Sequence, residues 1–457
     1  MTPFALTRSL GELIAAPPPV PEQLAERVSA AFLDTIGVML AGYGEAPVQA
    51  LARTLPRAGY EADGPAADAL LSGTAAHALD YDDVGFGGHM SAVLVPAILA
   101  MAGSMGGLSG KDLIRAYVLG HEVWAELASR EKTLAHARGF HPTSVTGSVA
   151  SAAAVASLLR LDARQAAVAL SLGATQASGL TANFGSMAKP FHAGAAARAG
   201  VMAGLMAEAG FDAAPVLEAP KGYLSAFSPH GEIDLVRPLN IGGGEWMLAV
   251  RSPSVKRYPV CYSAHRALDA AQALHDRLPA IPSDTTIEVR LSPRHSEILR
   301  YRMPQTVAQA RFSLEFCVAH MLLHGKLGLS DMTETGLADP VLHAAMARVE
   351  RIEADDKDPE LDGYAAWDQV SLVFPDGRRE SSPRITRPYG HFDNPAPATA
   401  LIQKFDDCLR IANCHGENIF RSCTGLNDIQ ASTLLEALGQ PALNLLRKAG
   451  SKEAQAS

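Results

Sequence analysis

Apolar residues follow the spacing of α-helices through most of the first 250 residues. They recur at helical intervals over residues 23–43, which predicts a helix there. Ser109 with Asp112, and Asp162 with Gln165, have the spacing of capping boxes, so we expect helices to begin at both places. Residues 193–210 are dominated by Ala and Gly, whose small side chains let helices approach closely, and this predicts an interior helix.

The pattern changes after about residue 250. Residues 285–291 alternate apolar and polar side chains, which predicts a half-buried strand, and residues 347–354 alternate less regularly. Residues 370–374 are a third candidate strand, and the turn tripeptide at 375–377 predicts a hairpin. An apolar stretch at 312–323 predicts a packed helix, and helical spacing returns at 400–408 and 429–438. The middle of the chain is therefore expected to form a small α+β domain.

Composition and charge narrow the class of protein. The chain has 457 residues, of which 48% are hydrophobic and 19% charged, so it has ample material for a core. The formal net charge of -9 argues against general nucleic-acid binding, and an anionic ligand would need a local cluster of cations. Five cysteines without a CxxC pattern indicate neither a disulfide scaffold nor a cysteine-ligated metal. Residues 1–23 lack the apolar core of a signal peptide and residues 91–105 are short for a bilayer, so we expect a cytoplasmic protein without a membrane segment.

An acidic segment with a Gly-rich turn is the first candidate site. Asp80, Asp82 and Asp83 precede a turn that ends at His89, and this turn can bring His89 back over the end of the helix that carries His77. An Asp beside a His orients the ring and stabilises its charged form, as acid–base chemistry requires. A solvated helix end followed by an ordinary loop explains the same residues. A metal site is the third interpretation, although the spacing matches no established metal motif.

His141 stands immediately before the apolar stretch at 145–159. Thr143 or Ser144 is a suitable N-cap for a helix there, which places His141 at the positive end of the helix dipole. That field disfavours the imidazolium, so we expect His141 to be neutral near pH 7 and able to accept a proton. The free amides of the same helix end can also hold a carboxylate. A surface-loop histidine before a capped helix is the alternative.

Lys189 and His192 lie on either side of Pro190, at the start of the Ala/Gly-rich stretch. Proline favours the first turn of a helix, so Lys189 is expected just before the helix N-terminus, where the dipole disfavours a cation. A lysine at the mouth of a buried helix is explained if an anion shares the site. The alternative is a lysine side chain that extends to solvent.

Lys256 and Arg257 precede Pro259, which can open another helix. Cys261 would then lie in the first turn, where a thiol pKa can be lowered. The segment falls where the composition changes, and clefts between domains are common ligand sites. A basic connection between domains with a core cysteine explains these residues equally. Tyr301 follows the first predicted strand, where an ordinary surface loop is the simpler interpretation.

The sequence contains no Gly-x-Gly-x-x-Gly after a strand, no P-loop and no nucleophile-elbow motif. His, Lys, Arg, Tyr and Asp side chains remain, and they suit acid–base chemistry on a small anion. An example is removal of a proton next to a carboxylate, with cations stabilising the resulting charge. These residues therefore predict neither a nucleotide-binding loop nor a metal-binding motif.

Five ordered motifs make the chain resemble the MmgE/PrpD family. They are HALDYDD with a following His-x-Ser, GFHPTSVTG, NFGSMAKPFHAGAAARAG, KRYPVCYSAH, and HFDNP with KFDDC, and the resemblance runs from about residue 20 to 440. The family includes 2-methylcitrate dehydratase, cis-aconitate decarboxylase and iminodisuccinate epimerase. The resemblance implies a mostly α fold, with a helical domain formed by residues 1–250 and 395–457 and an inserted α+β lid domain at 251–394. It also implies a homodimer that acts on a small di- or tricarboxylate without metal or cofactor.

The resemblance assigns catalytic roles to Asp80, His89, His141, Lys189 and Lys256, each of which matches a position of a family motif. In the implied lyase, His141 or Lys189 takes a proton α to a carboxylate. His89, oriented by Asp80, then protonates the leaving hydroxyl or the carbanion left by loss of CO2.

Further positions are implied to act on the substrate. Lys256 matches the interdomain lysine of the family, and together with Arg257 and His192 it would hold substrate carboxylates. Tyr301 matches a tyrosine of the active-site cleft, in a loop that varies between members. Cys261 stands in the same substrate-binding segment.

The chain departs from the family pattern at three positions. Dehydratase and decarboxylase relatives typically have Thr at Val84 and Pro at Met90, and the decarboxylase has a His at Cys261. The Pro-x-Cys-Tyr pattern is closer to epimerase-like members. A lyase is the favoured function, and the alternative is an isomerase that reprotonates the same carbanion on its opposite face. A binding protein without catalysis is disfavoured, because the titratable positions of the family motifs are present.

Overall fold

A computed structural model gives the structure for residues 3–61, 64–131, 135–228, 230–239, 241, 246–278, 280–359, 364–439, 441 and 444. The chain divides into two compact units. The first contains residues 1–183, 187–253 and 401–457, and the second contains residues 184–186 and 254–400. Helices dominate the described residues and the strands form one four-stranded sheet, which confirms the predicted fold class.

The first unit begins with a long series of helices. They are α1 (Leu6–Ala15), α2 (Glu22–Gly42), α3 (Ala46–Arg57), α4 (Pro65–Ala78), α5 (Ser91–Ser104), α6 (Gly110–Arg130), α7 (Pro142–Leu158), α8 (Ala163–Thr175), α9 (Ala188–Glu208), α10 (Tyr223–Phe227) and α11 (Met247–Val250). Both predicted capping boxes are present, at the starts of α6 and α8. Within the described part of the chain, no helix combines the length and apolar character that a bilayer crossing requires.

Small residues bring α9 into close contact with α4 and α7. A side chain at Gly194 would collide with the backbone of Leu70 in α4, and one at Gly200 would collide with Ser151 in α7. The Ser151 hydroxyl also donates a hydrogen bond of 2.9 Å to the carbonyl of Ala196. The predicted interior helix is thus confirmed as α9. Its close packing fixes the position of α9 relative to α4 and α7.

The second unit contains the helices α12 (His265–Arg277), α13 (Pro293–Ile298), α14 (Val307–Ala310), α15 (Leu314–His324), α16 (Glu334–Leu337) and α17 (Pro340–Met346). Its strands are β1 (Thr286–Leu291), β2 (Val349–Glu353), β3 (Gln369–Val373) and β4 (Arg379–Ser381). The sheet order is β2-β1-β3-β4, with β1 parallel to β2 and antiparallel to β3. Strands β3 and β4 form the predicted antiparallel hairpin. Alternate residues of β1 are buried, as the period-two pattern predicted.

The chain then returns to the first unit through α18 (Ala398–Ala412), α19 (Glu417–Thr424) and α20 (Ala431–Leu438). Helix α19 packs against α2, and α20 packs against α19. The C-terminal helices therefore complete the core that the N-terminal helices begin. All five cysteines are free thiols, as their number and spacing predicted.

Three predicted helix starts were displaced by one or a few residues. The N-cap of α7 is His141 and not Thr143 or Ser144, because Pro142 occupies the first helical position that proline favours. Helix α9 begins at Ala188, so Lys189 lies inside its first turn. Cys261 precedes a short 3-10 turn, and α12 starts only at His265, so the cysteine is not in the first turn of a helix.

Candidate active site

The acidic segment leaves the end of α4 and folds back on it. Asp80 adopts the left-handed conformation with φ 51°, which turns the chain immediately after the helix. Gly85 and Gly88 exchange backbone hydrogen bonds of 2.8 and 3.0 Å, which closes the Gly-rich turn. His89 returns so that its ring centroid lies 4.3 Å from that of His77. The predicted return of His89 over the helix end is confirmed.

Asp82 joins the two imidazoles. The Nδ1 atom of His77 lies 3.0 and 2.9 Å from the two carboxylate oxygens of Asp82. The Nδ1 atom of His89 lies 3.0 Å from Oδ2 of the same carboxylate. The sequence assigned the orienting role to Asp80, but the carboxylate that the structure places against Nδ1 of His89 is that of Asp82.

Burial sets the protonation of this group. It lowers the pKa of His77 to about 3, an effect larger than the opposing pull of Asp82. Burial alone would raise the pKa of Asp82, but the two imidazoles outweigh it and hold the pKa well below its ordinary value. His77 is therefore neutral at pH 7 and donates its Nδ1 proton to an ionised Asp82.

His141 lies beside this pair at the N-terminus of α7. Its ring centroid is 5.8 Å from that of His77 and 6.3 Å from that of His89. Burial, followed by the charge of Lys189, holds the pKa of His141 well below its ordinary value. The predicted neutral state of His141 is confirmed, but burial is the principal cause and not the helix dipole.

His192, one turn into α9, contacts His141 directly. The two Nδ1 atoms are 3.1 Å apart, so one ring donates and the other accepts. Burial and the charge of Lys189 lower the pKa of His192 to about 4. His192 is thus neutral at pH 7 and offers a hydrogen bond, not the positive charge that a carboxylate-binding cation would supply.

Lys189 forms a buried ion pair with Asp80. Nζ of the lysine lies 2.9 Å from Oδ2 of the aspartate, and both side chains are about 95% buried. The sequence predicts an anion beside Lys189, and the structure supplies one from the chain itself, the Asp80 carboxylate. The first unit therefore brings together five of the predicted site residues: Asp80, His89, His141, Lys189 and His192.

Asp83 points away from the histidines into the core. It accepts hydrogen bonds from the backbone and hydroxyl of Ser91, and that hydroxyl lies 2.7 Å from the Tyr117 hydroxyl. Burial raises the pKa of Asp83 to about 7, and the carboxylate of Asp34 adds to the rise. Asp83 is therefore partly protonated at neutral pH.

Replacing Asp83 by Asn should remove a pH dependence of stability. Because the folded-state pKa of about 7 exceeds the ordinary value of 3.8, the folded protein retains a proton that the unfolded chain loses, and stability falls as pH rises through this interval. We expect the difference between the melting temperature of Asp83→Asn and that of the parent protein to become more positive from pH 4 to pH 7 and then to level off. A difference that stays constant across this range in thermal scans would refute the protonation of Asp83.

A lysine from the C-terminal segment holds the acidic segment in place. Nζ of Lys404 in α18 lies 2.6 Å from Oδ1 of Asp34 in α2 and donates a 2.6 Å hydrogen bond to the carbonyl of Tyr81. The same ammonium lies 4.2 Å from the centre of the Tyr81 ring. Tyr81 lies between the two aspartates that contact Lys189 and His89, so Lys404 fixes the backbone from which both carboxylates project.

The remaining predicted site residues lie in the second unit. Lys256 is fully buried, and Arg257 is partly exposed, with its guanidinium stacked on Tyr258 and Tyr389. The backbone amide of Cys261 donates to the carbonyl of Arg311 at 2.9 Å.

Tyr301 is held by residues of the same unit. Its hydroxyl donates a hydrogen bond of 2.8 Å to the carbonyl of Phe184, and its ring lies against Gly185. Gly185 has φ 85°, and a side chain there would collide with the tyrosine ring. Tyr301 therefore has specific contacts that an ordinary surface-loop residue lacks.

The histidine cluster also has the composition of a metal site. One ligand atom each of His77, His89 and His141 lies within 4.8 Å of the others, and His77, Asp80, Asp82 and His89 form a second set of this kind. Imidazole and carboxylate groups suit several divalent ions. The sequence did not reveal the first set, because its three histidines come from α4, the Gly-rich turn and the start of α7.

Sequence reasoning missed the roles of three residues that build the site. They are Asp82, its partner His77, and Lys404. The spacing of His77 and Asp82 offered a weak signal, since a helix that ends between them can return the aspartate to the ring. Lys404 gave no local signal, because its partners Asp34 and Tyr81 are separated from it by more than 300 residues.

Comparison with known proteins identifies the family. The model of the MmgE/PrpD N-terminal domain matches residues 15–236, and that of the MmgE/PrpD C-terminal domain matches residues 258–421. The chain belongs to the MmgE/PrpD family.

Proteins similar to this chain include decarboxylases and a dehydratase. Cis-aconitate decarboxylase of Homo sapiens is 27% identical over 351 residues, which is 75% of this chain and 72% of the human protein. Cis-aconitate decarboxylase of Aspergillus terreus is 26% identical over 426 residues, covering 84% of this chain and 85% of the fungal one. The mitochondrial 2-methylcitrate dehydratase of Yarrowia lipolytica is 25% identical over 384 residues, which is 78% of this chain and 72% of the yeast protein. At the level of reaction type, these relatives are lyases.

Proposed function

We propose that the protein is a lyase that acts on a small di- or tricarboxylate through a carbanion α to a carboxylate. The carbanion forms either by removal of the α-proton, followed by release of water, or by loss of CO2, followed by protonation. The observation that carries this proposal is a buried neutral imidazole, His141, beside a second imidazole, His89, that contacts an ionised aspartate. One group is suited to accept a proton and the other to donate one. Elimination needs both functions within one small site.

His141 is the proposed base. Its pKa lies well below the ordinary value, so the ring is unprotonated at pH 7. The alternative base, Lys189, lies 2.9 Å from Asp80, and this ion pair favours the ammonium form, which cannot accept a proton. If the Nδ1 proton of His141 is donated to His192, Nε2 is the unprotonated nitrogen of the neutral His141 ring.

His89 is the proposed acid, and Lys189 the electrostatic partner of the developing charge. The Asp82 carboxylate, 3.0 Å from Nδ1 of His89, stabilises the imidazolium that must donate the proton. The Lys189 ammonium is buried close to the histidines and lowers the proton affinity of His141 and His192. A cation fixed in this way stabilises the negative charge that forms when the α-proton leaves.

Residues of the second unit complete the proposal as substrate-binding groups. Lys256 and Arg257 would bind carboxylates through charge. Cys261 would contact the substrate from the same segment, and Tyr301 would contact it from a separate loop. His192 acts through His141, because a neutral ring adds no charge for a carboxylate. A homodimer, which light scattering would detect, is part of the proposal.

The substrate and the fate of the carbanion can be determined together. The protein is incubated in D2O with cis-aconitate, 2-methylcitrate and iminodisuccinate, and NMR records deuterium incorporation, loss of water and loss of CO2. We expect deuterium exchange together with one of the two losses on at least one compound. Exchange with inversion but no loss would make the protein an epimerase, and no exchange on any di- or tricarboxylate would refute the proposal.

Catalysis is expected to need no added metal. The Asp80 carboxylate is paired with the Lys189 ammonium, and both oxygens of Asp82 face the Nδ1 atom of His77, so the chain supplies its own countercharges. Protein dialysed against EDTA, with metal content checked by mass spectrometry, should keep its full kcat. Loss of activity that one divalent ion restores would show that the metal-ligating set of histidines is occupied during catalysis.

A further inference from the structure

The first turn of α7 holds both of the histidines that the proposed function uses for proton transfer. His141 is the N-cap of this helix, and Oγ1 of Thr143 in its first turn accepts a hydrogen bond of 3.1 Å from the backbone amide of His89. Thr143 is fully buried. The separation of the two imidazoles, whose ring centroids lie 6.3 Å apart, therefore depends on how the Gly-rich turn docks on this helix end.

Helix α6 contacts the same Gly-rich turn. Trp124 is the largest fully buried side chain in the described part of the chain, and a side chain added at Gly88 would come within 2.5 Å of Cζ2 of its indole. The added atom would also lie 3.0 Å from the backbone nitrogen of Thr143. His121, one turn before Trp124, meets Phe86 edge to face, with ring centroids 5.9 Å apart. Two aromatic side chains of α6 thus contact alternate residues of the turn.

The indole of Trp124 is confined by its surroundings. It also lies near Gly147 of α7, where an added side chain would come within 3.2 Å of Cζ3. Its Nε1 atom has no hydrogen-bond partner among the described residues, so packing alone holds the ring. Protein interiors are close-packed and transmit a displacement to their neighbours. A side chain at Gly88 would therefore push the Gly-rich turn away from α6 and from the start of α7.

We propose that Trp124 and Thr143 are positioning residues that hold His89 at its distance from His141. Thr143 anchors the backbone of His89, and Trp124 acts through Gly88 by setting how closely the Gly-rich turn approaches α7. The inference rests on the proposed function, in which His89 and His141 act on one substrate. A proton donor must lie within hydrogen-bond reach of the reacting atom, and a misplacement of about 1 Å can lower a rate roughly 100-fold.

Gly88→Ala tests the contact with Trp124. The added methyl group collides with the indole, so His89 should move away from His141 and kcat should fall roughly 100-fold. KM should change much less, because the groups proposed to bind carboxylates are untouched. Gly103→Ala is the matched control, since an added side chain at Gly103 meets no atom within 4 Å, and it should retain the parent kcat.

Trp124→Phe should rescue part of the activity that Gly88→Ala loses. Phenylalanine lacks the outer part of the indole, to which Cζ2 belongs, so the collision is relieved. The rescue is partial, because the methyl group remains 3.0 Å from the backbone nitrogen of Thr143. We expect the double variant to have a kcat about tenfold above that of Gly88→Ala. A double variant no more active than Gly88→Ala would overturn the role of Trp124.

Thr143→Val and Thr143→Ser test the second contact and do not depend on the folding of Gly88→Ala. Valine keeps the shape of threonine but cannot accept the hydrogen bond from the amide of His89, whereas serine keeps the hydroxyl. We expect kcat to fall about tenfold in Thr143→Val and to stay near the parent value in Thr143→Ser. Equal losses in the two variants would overturn the role of Thr143.

Crystal structures without substrate separate this inference from the proposed function. The ring centroids of His89 and His141 should lie about 1 Å further apart in Gly88→Ala than in the parent, and the double variant with Trp124→Phe should reduce that displacement. If Gly88→Ala does not fold, Thr143→Val replaces it. Rings that stay in place would overturn the proposal even if no carboxylate is turned over. Displaced rings with an unchanged kcat would refute His89 as the acid and leave the positioning roles intact.

Discussion

Replacing His141 by Gln is expected to reduce kcat by roughly 100- to 10,000-fold, the usual contribution of a general base. Of the two proposed bases, His141 is the one that can accept the α-proton at pH 7, since its pKa lies well below the ordinary value and Lys189 is engaged by Asp80. Glutamine keeps the approximate size and polarity of the ring but has no basic nitrogen. Steady-state kinetics with the compound identified in the D2O panel measures the loss.

A surface histidine provides the matched control for this variant. His415 is exposed and lies after α18, so His415→Gln should retain the parent kcat. Circular dichroism and thermal scans of both variants show whether the fold is intact. A folded His141→Gln with more than a tenth of the parent kcat would exclude His141 as the base and make Lys189 the leading candidate.

Replacing Lys404 by Met is expected to destabilise the protein by about 3–5 kcal/mol, the usual result of breaking a buried ion pair. Nζ of Lys404 lies 2.6 Å from Asp34, and both side chains are at least 95% buried, so the substitution leaves a buried carboxylate without its cation. The carbonyl of Tyr81 loses its donor at the same time. Thermal and denaturant unfolding of the full-length variant and of the parent protein measure the loss of stability.

The double variant Asp34→Asn with Lys404→Met distinguishes the charge from the packing. Removing both charges leaves no unpaired ion, so the double variant should be more stable than Lys404→Met alone. Its kcat should nevertheless stay below that of the parent, because the carbonyl of Tyr81 still lacks its donor and the acidic segment is less firmly held. Equal stability of the single and double variants would show that the ion pair contributes little.

The helices and strands were largely predictable because their signals are local. The capping boxes at Ser109 and Asp162, the alternation in β1 and the turn after β3 each depend on residues within a few positions of one another. The helix starts near His141 and Lys189 were displaced because proline is compatible with any position of the first turn, so its presence does not fix the N-cap.

The partners within the site could not be predicted in the same way. Asp80 and Asp82 are two residues apart, and which of them meets His89 depends on the left-handed turn at Asp80, which the sequence does not reveal. The pKa of His141 depends mainly on burial, to which the rings of His77 in α4 and His192 in α9 contribute. The family resemblance supplied the positions of the candidate site, whereas the pairing of charges required three-dimensional structure.

The central claim is that His141 removes the α-proton and His89 delivers a proton afterwards. Deuterium exchange at the α-carbon in D2O, followed by NMR in His89→Gln and His141→Gln, separates the two steps most directly. The account predicts that His89→Gln exchanges the α-proton while forming little product, and that His141→Gln does neither. Exchange at the parent rate in His141→Gln would contradict it.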